Sequence, residues 1–244
     1  MRTNVASEYL KLRTLRLPAL LSVLGTVFSV AVGVGGVLIQ KTGDTVDVTQ
    51  AARAVTAPLW FLIAVVAITA GAGEFQHHTI RTTLLSSPRR TEVLISKAVV
   101  IGGYGAAMTG LGMAASIGAV LVTAQIDGVP VDAAGPAAWS GLAGAALAGA
   151  LFGMLASALG MLTRGTALAL TVLLLWYFVG EGVLPMVLRE PGISRWTPTG
   201  VATTLIDPAS QQATTVLASG AALLGYAAVF SAAAAWSFLQ RDPD

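Results

Sequence analysis

The stretch Glu74–Lys97, EFQHHTIRTTLLSSPRRTEVLISK, is the one strongly polar island between long apolar runs. On either side the chain is free of charge over 54–73 and 98–124. Each run meets the length of about 20 apolar residues that crosses roughly 30 Å of hydrocarbon. A polar loop held between two such runs is presented at a membrane surface.

The rest of the chain extends that pattern. Of the 244 residues, 55% are hydrophobic and 11% charged, with a mean hydropathy of +0.76. That leaves too little polar surface to coat a soluble globule of this size. Further apolar windows lie at 17–39 and 138–163. A fifth, about 166–188, is interrupted by Glu181 and Pro185, and a sixth, about 216–238, ends before Arg241. Residues 189–215, with Pro191, Gly192, Pro198, Gly200 and Pro208, are too broken for a plain span and are expected to form an outer segment capping the bundle. The expected fold is an all-α integral membrane protein, a single transmembrane domain over 1–244 with six transmembrane helices. The first apolar run is longer than a signal-peptide core and lacks a small-residue cleavage site before Gln40, so it is expected to be retained as a span.

Basic residues near span ends are retained on the cytoplasmic side. With six spans both termini share a side, and that side holds Arg2, Lys11, Arg13, Arg16, Arg81, Arg89, Arg90, Lys97, Arg164 and Arg241, ten of the fourteen basic residues. Lys41, Arg53, Arg189 and Arg195 fall opposite. Both termini and the island are therefore expected in the cytoplasm.

Small residues every fourth position let helices in lipid approach closely. Three spans carry such stripes: Gly25, Ser29 and Gly33; Gly102, Ala106, Gly110, Ala114 and Gly118; Gly141, Ala145, Gly149, Gly153 and Ser157. A chain with 27 glycines also yields such spacings by chance.

Soluble-enzyme chemistry finds little support. The chain has no cysteine, which excludes disulfides, thiolate metal sites and Cys nucleophiles. It has no Gly-Lys dipeptide, hence no phosphate loop, and no G-x-S-x-G elbow. His77 and His78 are adjacent and lack the i, i+4 spacing that sets two imidazoles on one helix face. A solvated pair is the plainer reading, with Glu74 the only nearby carboxylate. No catalytic residue, no metal site and no cofactor bound by this chain is expected. Glu181 is the only ionisable group inside a span, where each costs about 2.5–3.5 kcal/mol on insertion scales. It follows Trp176, Tyr177 and Phe178 and precedes Pro185, which favours an outer-end structural carboxylate over a substrate-coupled one.

Within the island, Glu74 closes the second span and Thr79 caps a short helix on which Ile80, Leu84 and Leu85 share a face. Ser86, Ser87 and Pro88 stop it. Arg89 and Arg90 sit at the membrane surface, and a second helical start at Thr91 leads through Lys97 into the third span. The leader, 1–16, reads as an interfacial helix with Val5, Tyr9 and Leu12 on one side and Asn4, Lys11 and Thr14 on the other. Arg13 and Arg16 intrude toward the apolar side and reach headgroups by snorkelling. A plain basic flank is the alternative.

On these residues the chain resembles the type-2 ATP-binding-cassette (ABC) transporter permeases, in particular their small six-span bacterial members. The pattern is Glu, Gly-Thr, a basic residue, leucines, Pro, a basic residue and a distal Lys. Here it reads Glu74, His78-Thr79, Arg81, Leu84-Leu85, Pro88, Arg90 and Lys97, with His78 in place of the usual Gly. Ser7–Arg16 is similar to the family's leader, with Tyr9, Lys11, Arg13 and Arg16 at the membrane interface.

The resemblance implies a coupling helix between spans 2 and 3, with Glu74, Thr79, Ile80, Arg81, Leu84, Leu85, Pro88, Arg90 and Lys97 meeting a separate ABC ATPase. That partner would hold ATP and Mg. It also implies a second permease copy or homologue and a place in the bacterial plasma membrane. The implied activity is export of a hydrophobic or amphiphilic substrate (drug, peptide or lipid) by alternating access, with no nucleic-acid partner. Two alternatives stand beside it: an ATP-independent secondary carrier, disfavoured by the scarcity of midplane ionisable groups, and a membrane anchor or assembly protein without transport activity.

Overall fold

The structure, a computed structural model, describes residues 2–39, 46–48, 53–76, 90–132, 136–207 and 215–240. It is an all-α bundle. Helix α1 spans Arg2–Thr14, α2 Arg16–Ile39, α3 Thr56–Gln76, α4 Arg90–Asp127 and α5 Pro136–Thr163. Then come α6 (Thr166–Leu175), a π-helical turn (Trp176–Gly180), α7 (Glu181–Leu188), a 3-10 turn (Pro191–Trp196), α8 (Pro198–Ile206) and α9 (Val216–Gln240). Among the described residues six helical segments are long and apolar enough to cross a membrane: α2, α3, α4, α5, the run α6–α7, and α9. Two short strands, β1 (Val46–Asp47) and β2 (Val131–Asp132), pair in parallel with Val46 opposite Val131. They tie the loop after α2 to the loop after α4, over a small cluster of Val37, Val48, Val120 and Ala124.

Helix α5 is the hub, packed against α3, α4, α8 and α9. The main core gathers Leu59, Trp60 and Ile63 of α3 with Leu151 and Phe152 of α5 and Val201 and Leu205 of α8. A second cluster joins Ala67 and Ile68 of α3 to Ile101, Leu159 and Ala169. Where no water reaches, a backbone must satisfy itself, and hydroxyls inside such helices turn back onto their own carbonyls. Ser22, Thr26, Ser29, Thr69 and Thr109 all donate to the carbonyl four residues earlier, at 2.6–2.9 Å.

Small residues set the closest approaches. All five stripe residues of α5 are buried. A methyl group on Gly149 would collide with the Thr109 hydroxyl and the Gly105 carbonyl of α4, and one on Gly71 with the Ser157 carbonyl. The α2 stripe of Gly25, Ser29 and Gly33 is likewise buried. In α4 the expected stripe makes contact in part: Gly102 is buried against Met154 and Gly110 lies near Ala146, whereas Ala114 is exposed and Gly118 faces open space; a second run, Gly105, Thr109, Gly112 and Ser116, is buried throughout. The second run makes the closer contacts, with Gly105 against the Gly149 carbonyl and Gly112 against Leu59 and the Ser29 hydroxyl.

The fifth run is broken, as Glu181 and Pro185 predict, but the break begins earlier. Pro185 has no N–H to give the Glu181 carbonyl. One turn before that lost bond the helix widens, and the Glu181 N–H bonds the Trp176 carbonyl five residues back. Helix α7 then ends at Arg189 in the left-handed region (φ 52), with Arg189 N–H on the Met186 carbonyl and Glu190 N–H on the Pro185 carbonyl. This is a Schellman ending with Arg where Gly is usual. Within 189–215 Thr197 caps α8, accepting from the Gly200 N–H at 3.2 Å, and Pro198 takes the first turn, where its missing N–H costs nothing.

Candidate functional site

Two carboxylates and two ammonium groups meet at the α1 end of the bundle. Glu8 and Lys11 lie three residues apart on α1 and therefore share a face. Glu74 is near the end of α3, and Lys97 is two turns into α4. Lys97 Nζ lies 3.0 Å from Glu8 Oε2, 3.3 Å from Glu74 Oε1 and 2.9 Å from the Ala70 carbonyl, so its three donors are all used. Lys11 Nζ lies 2.6 Å from Glu8 Oε1 and 2.8 Å from Glu74 Oε1. Charges alternate around the cluster and sum to zero. That balance is the condition under which charges tolerate removal from water.

The side chain of Lys97 is 6% exposed and that of Lys11 42%, so the cluster has a buried pole and a solvent pole. Asn4 adds a contact to Glu92 of α4 at 3.4 Å. Together these contacts pin α1 across the ends of α3 and α4.

Burial alone would push the Glu8 carboxyl up, but Lys97 and Lys11 outweigh it and hold it below its ordinary 4.5. Burial alone would push Lys11 down, but Glu74 and Glu8 hold it above its ordinary 10.5. A lowered carboxyl contributes stability that is present above its unfolded value and lost as pH falls through the folded one. A raised amine contributes stability that is fully present below 10.5 and lost as pH rises through its folded value. The α1 clamp is thus expected to hold between the ordinary values of 4.5 and 10.5 and to loosen outside them. Thermal unfolding of the purified chain at stepped pH checks this: Tm should fall on the acid side, and Glu8→Gln should flatten that fall.

Several predicted site residues have definite places. Glu74 and Lys97 belong to the cluster. Arg90 opens α4. Tyr9 is 55% exposed, and Arg13 and Arg16 are exposed. Val5 and Leu12 are partly buried, and the leader residue most deeply buried against the bundle is Glu8. His77, His78, Thr79, Ile80, Arg81, Leu84, Leu85 and Pro88 lie outside the described residues.

Glu8 escaped the sequence reading, although a signal for it exists. Lys97 borders the apolar run 98–124, and a lysine buried there needs an acid; the span count puts only a few acids at that end.

At the other end, Glu181 accepts from the Thr199 backbone N–H at 3.3 Å and from the Thr199 hydroxyl. Thr199 stands in the first turn of α8, where unpaired N–H groups and the helix dipole favour an anion. Glu181 thereby fastens the broken fifth run to α8. Arg53 and Asp207, paired at 2.7 Å, fasten the far end of α8 to the chain just before α3.

Comparison with protein-family models and with curated protein sequences returns no match. The reading of function rests on the residues and their geometry.

Proposed function

We propose that this chain is the permease subunit of an ATP-driven ABC exporter in the bacterial plasma membrane, moving a hydrophobic or amphiphilic substrate with both termini cytoplasmic. ATP and Mg belong to a separate ATPase. A second permease copy or homologue completes the path, and alternating access between the two halves moves the substrate.

The observation that carries this reading is the direct contact of Glu74 with Lys97, 3.3 Å apart, with Glu8 and Lys11 locked onto both. These two residues bracket the polar island, so both of its ends are held in one rigid frame with α1. A loop so framed passes displacement to the bundle when a partner pushes on it. In this scheme Ile80, Leu84 and Leu85 supply the apolar docking face, Arg81 and Arg90 orient it by charge, and Glu74 and Lys97 hold its base. Thr79 and Pro88 set its start and stop. The large apolar surfaces on the outside of the bundle also support the reading: α2, the α6–α7 run and α9 bury 22%, 12% and 17% of their most apolar windows within the chain, leaving wide faces for lipid and a second permease.

Exchange of Leu84 for Asp tests the docking role. A carboxylate placed in an apolar groove of the ATPase is expected to reduce complex formation on co-expression at least tenfold and to abolish substrate-stimulated ATP turnover. Undiminished capture and coupling would sink it.

A further inference from the structure

A cavity of about 230 Å³ opens between α3, α5, the fifth run, α8 and α9. Its wall is aromatic. Trp60 stacks on Phe152 at 5.1 Å, and Phe61 meets Tyr177 edge-on at 4.5 Å. The Tyr226 ring lines it too, fixed by a 2.7 Å bond from its hydroxyl to the Trp196 carbonyl.

The π-helical turn builds this wall. In a regular α-helix Trp176 and Glu181 would stand roughly 140° apart. The five-residue bond between them closes that angle and brings both to the cavity side. Gly180 leaves the indole room to lie back over the turn: a methyl group there would sit 2.8 Å from its Cε3 atom.

One acidic side chain belongs to this otherwise apolar wall, that of Glu181. Its carboxylate is turned to the first turn of α8 and bonded by Thr199, yet among the described residues no Lys or Arg lies within ion-pair distance of it. A negative group with hydrogen bonds but no countercharge, beside several aromatic faces that each carry negative potential, sets a field that a cation lowers. An anion is repelled by the same arrangement. A neutral apolar guest fills the space but gains nothing from the charge.

We propose that this cavity binds a small amphiphilic organic cation, a quaternary or protonated amine on an apolar body, with the aromatic faces of Trp60, Phe61, Trp176 and Tyr177 around it and Glu181 as its counter-charge. As an assignment of exported substrate the proposal rests on the permease reading; as a binding site it stands alone.

The test uses the purified full chain and two probes of nearly one shape, phenyltrimethylammonium and its neutral carbon counterpart tert-butylbenzene, with binding followed by tryptophan fluorescence. The cation is expected to bind at least tenfold more tightly. Glu181→Gln keeps an acceptor for Thr199 and should remove that preference while leaving tert-butylbenzene unchanged. Equal binding of the two probes by the wild-type chain, or a preference that survives in Glu181→Gln, overturns the site. If Glu181→Gln does not fold, Trp176→Leu decides with the carboxylate intact. It should weaken the cation at least threefold, and no weakening overturns the aromatic role. ATP turnover of the complex with its ATPase is read separately. Stimulation by phenyltrimethylammonium supports the cation as cargo, whereas binding without stimulation leaves the site standing and overturns the substrate assignment.

Discussion

Replacing Lys97 with Met is expected to destabilise the folded chain by about 3–5 kcal/mol, the cost of leaving buried charge without its partner. Lys97 is 5% exposed and Glu8 7%, and Lys97 bonds Glu8, Glu74 and the α3 backbone at once. Without it Glu8 and Glu74 face each other across α1 and α3 with one ammonium group fewer between them. The methionine fills much the same volume, so the loss reports charge and not a cavity. Lys97→Arg keeps the charge but spreads it over a planar fork that does not match three converging acceptors, and it should recover only part of the stability. Thermal unfolding of the purified variants measures the effect, and Lys11→Met, on the solvent pole, should cost less than Lys97→Met. Equal losses for the two lysines would contradict the division into buried and exposed poles.

The second large effect is expected at Gly149, where α5 meets α4 most closely. A valine there sets its Cβ against the Thr109 hydroxyl and the Gly105 carbonyl and adds two methyl groups beyond it, and the hydroxyl is itself bonded to that carbonyl. Overpacking of this kind costs typically about 1–3 kcal/mol, and the upper end applies where the obstacle is backbone that moves only with its helix. Gly118→Ala is the matched control: Gly118 faces open space on α4, and alanine is the better helix former there. Denaturation in detergent should show a large loss for Gly149→Val and none for Gly118→Ala. The reverse order would mean that the stripe expected from spacing alone, with Gly118 in it, is the one α4 uses.

How far the fold was readable depends on which force sets each feature. Apolar runs of about 20 residues have few alternatives to a helix in lipid, so six long helices were legible, as was the break in the fifth from Glu181 and Pro185. The position of that break was not, because the lost proline bond is felt one turn earlier, at Trp176–Gly180. Within 189–215 the dipeptide Thr197-Pro198 was a helix start in plain view, a capping hydroxyl before a first-turn proline, yet the surrounding prolines and glycines masked it. The two candidate stripes on α4 were indistinguishable in sequence, since only the partner helix decides which face is used.

The same division holds for the charge cluster. Glu74 and Lys97 stood out because they are polar marks at the ends of apolar runs. Glu8 did not, because its role depends on where α1 lies against α3 and α4, and no local pattern fixes that. The i, i+3 pair Glu8–Lys11 reads equally well as a solvated helix face until Lys97 is known to be buried beside it.

In the proposed scheme this chain moves its substrate only when a separate ATPase works on the island between Glu74 and Lys97. Reconstitution into lipid vesicles tests it most directly, with and without the partner ATPase, and with either ATP or an imposed ion gradient as the energy source. Phenyltrimethylammonium, or another amphiphilic cargo, is expected to be transported only with the ATPase and ATP present, and Leu84→Asp is expected to abolish that transport. Uptake driven by an ion gradient in vesicles holding this chain alone would contradict it.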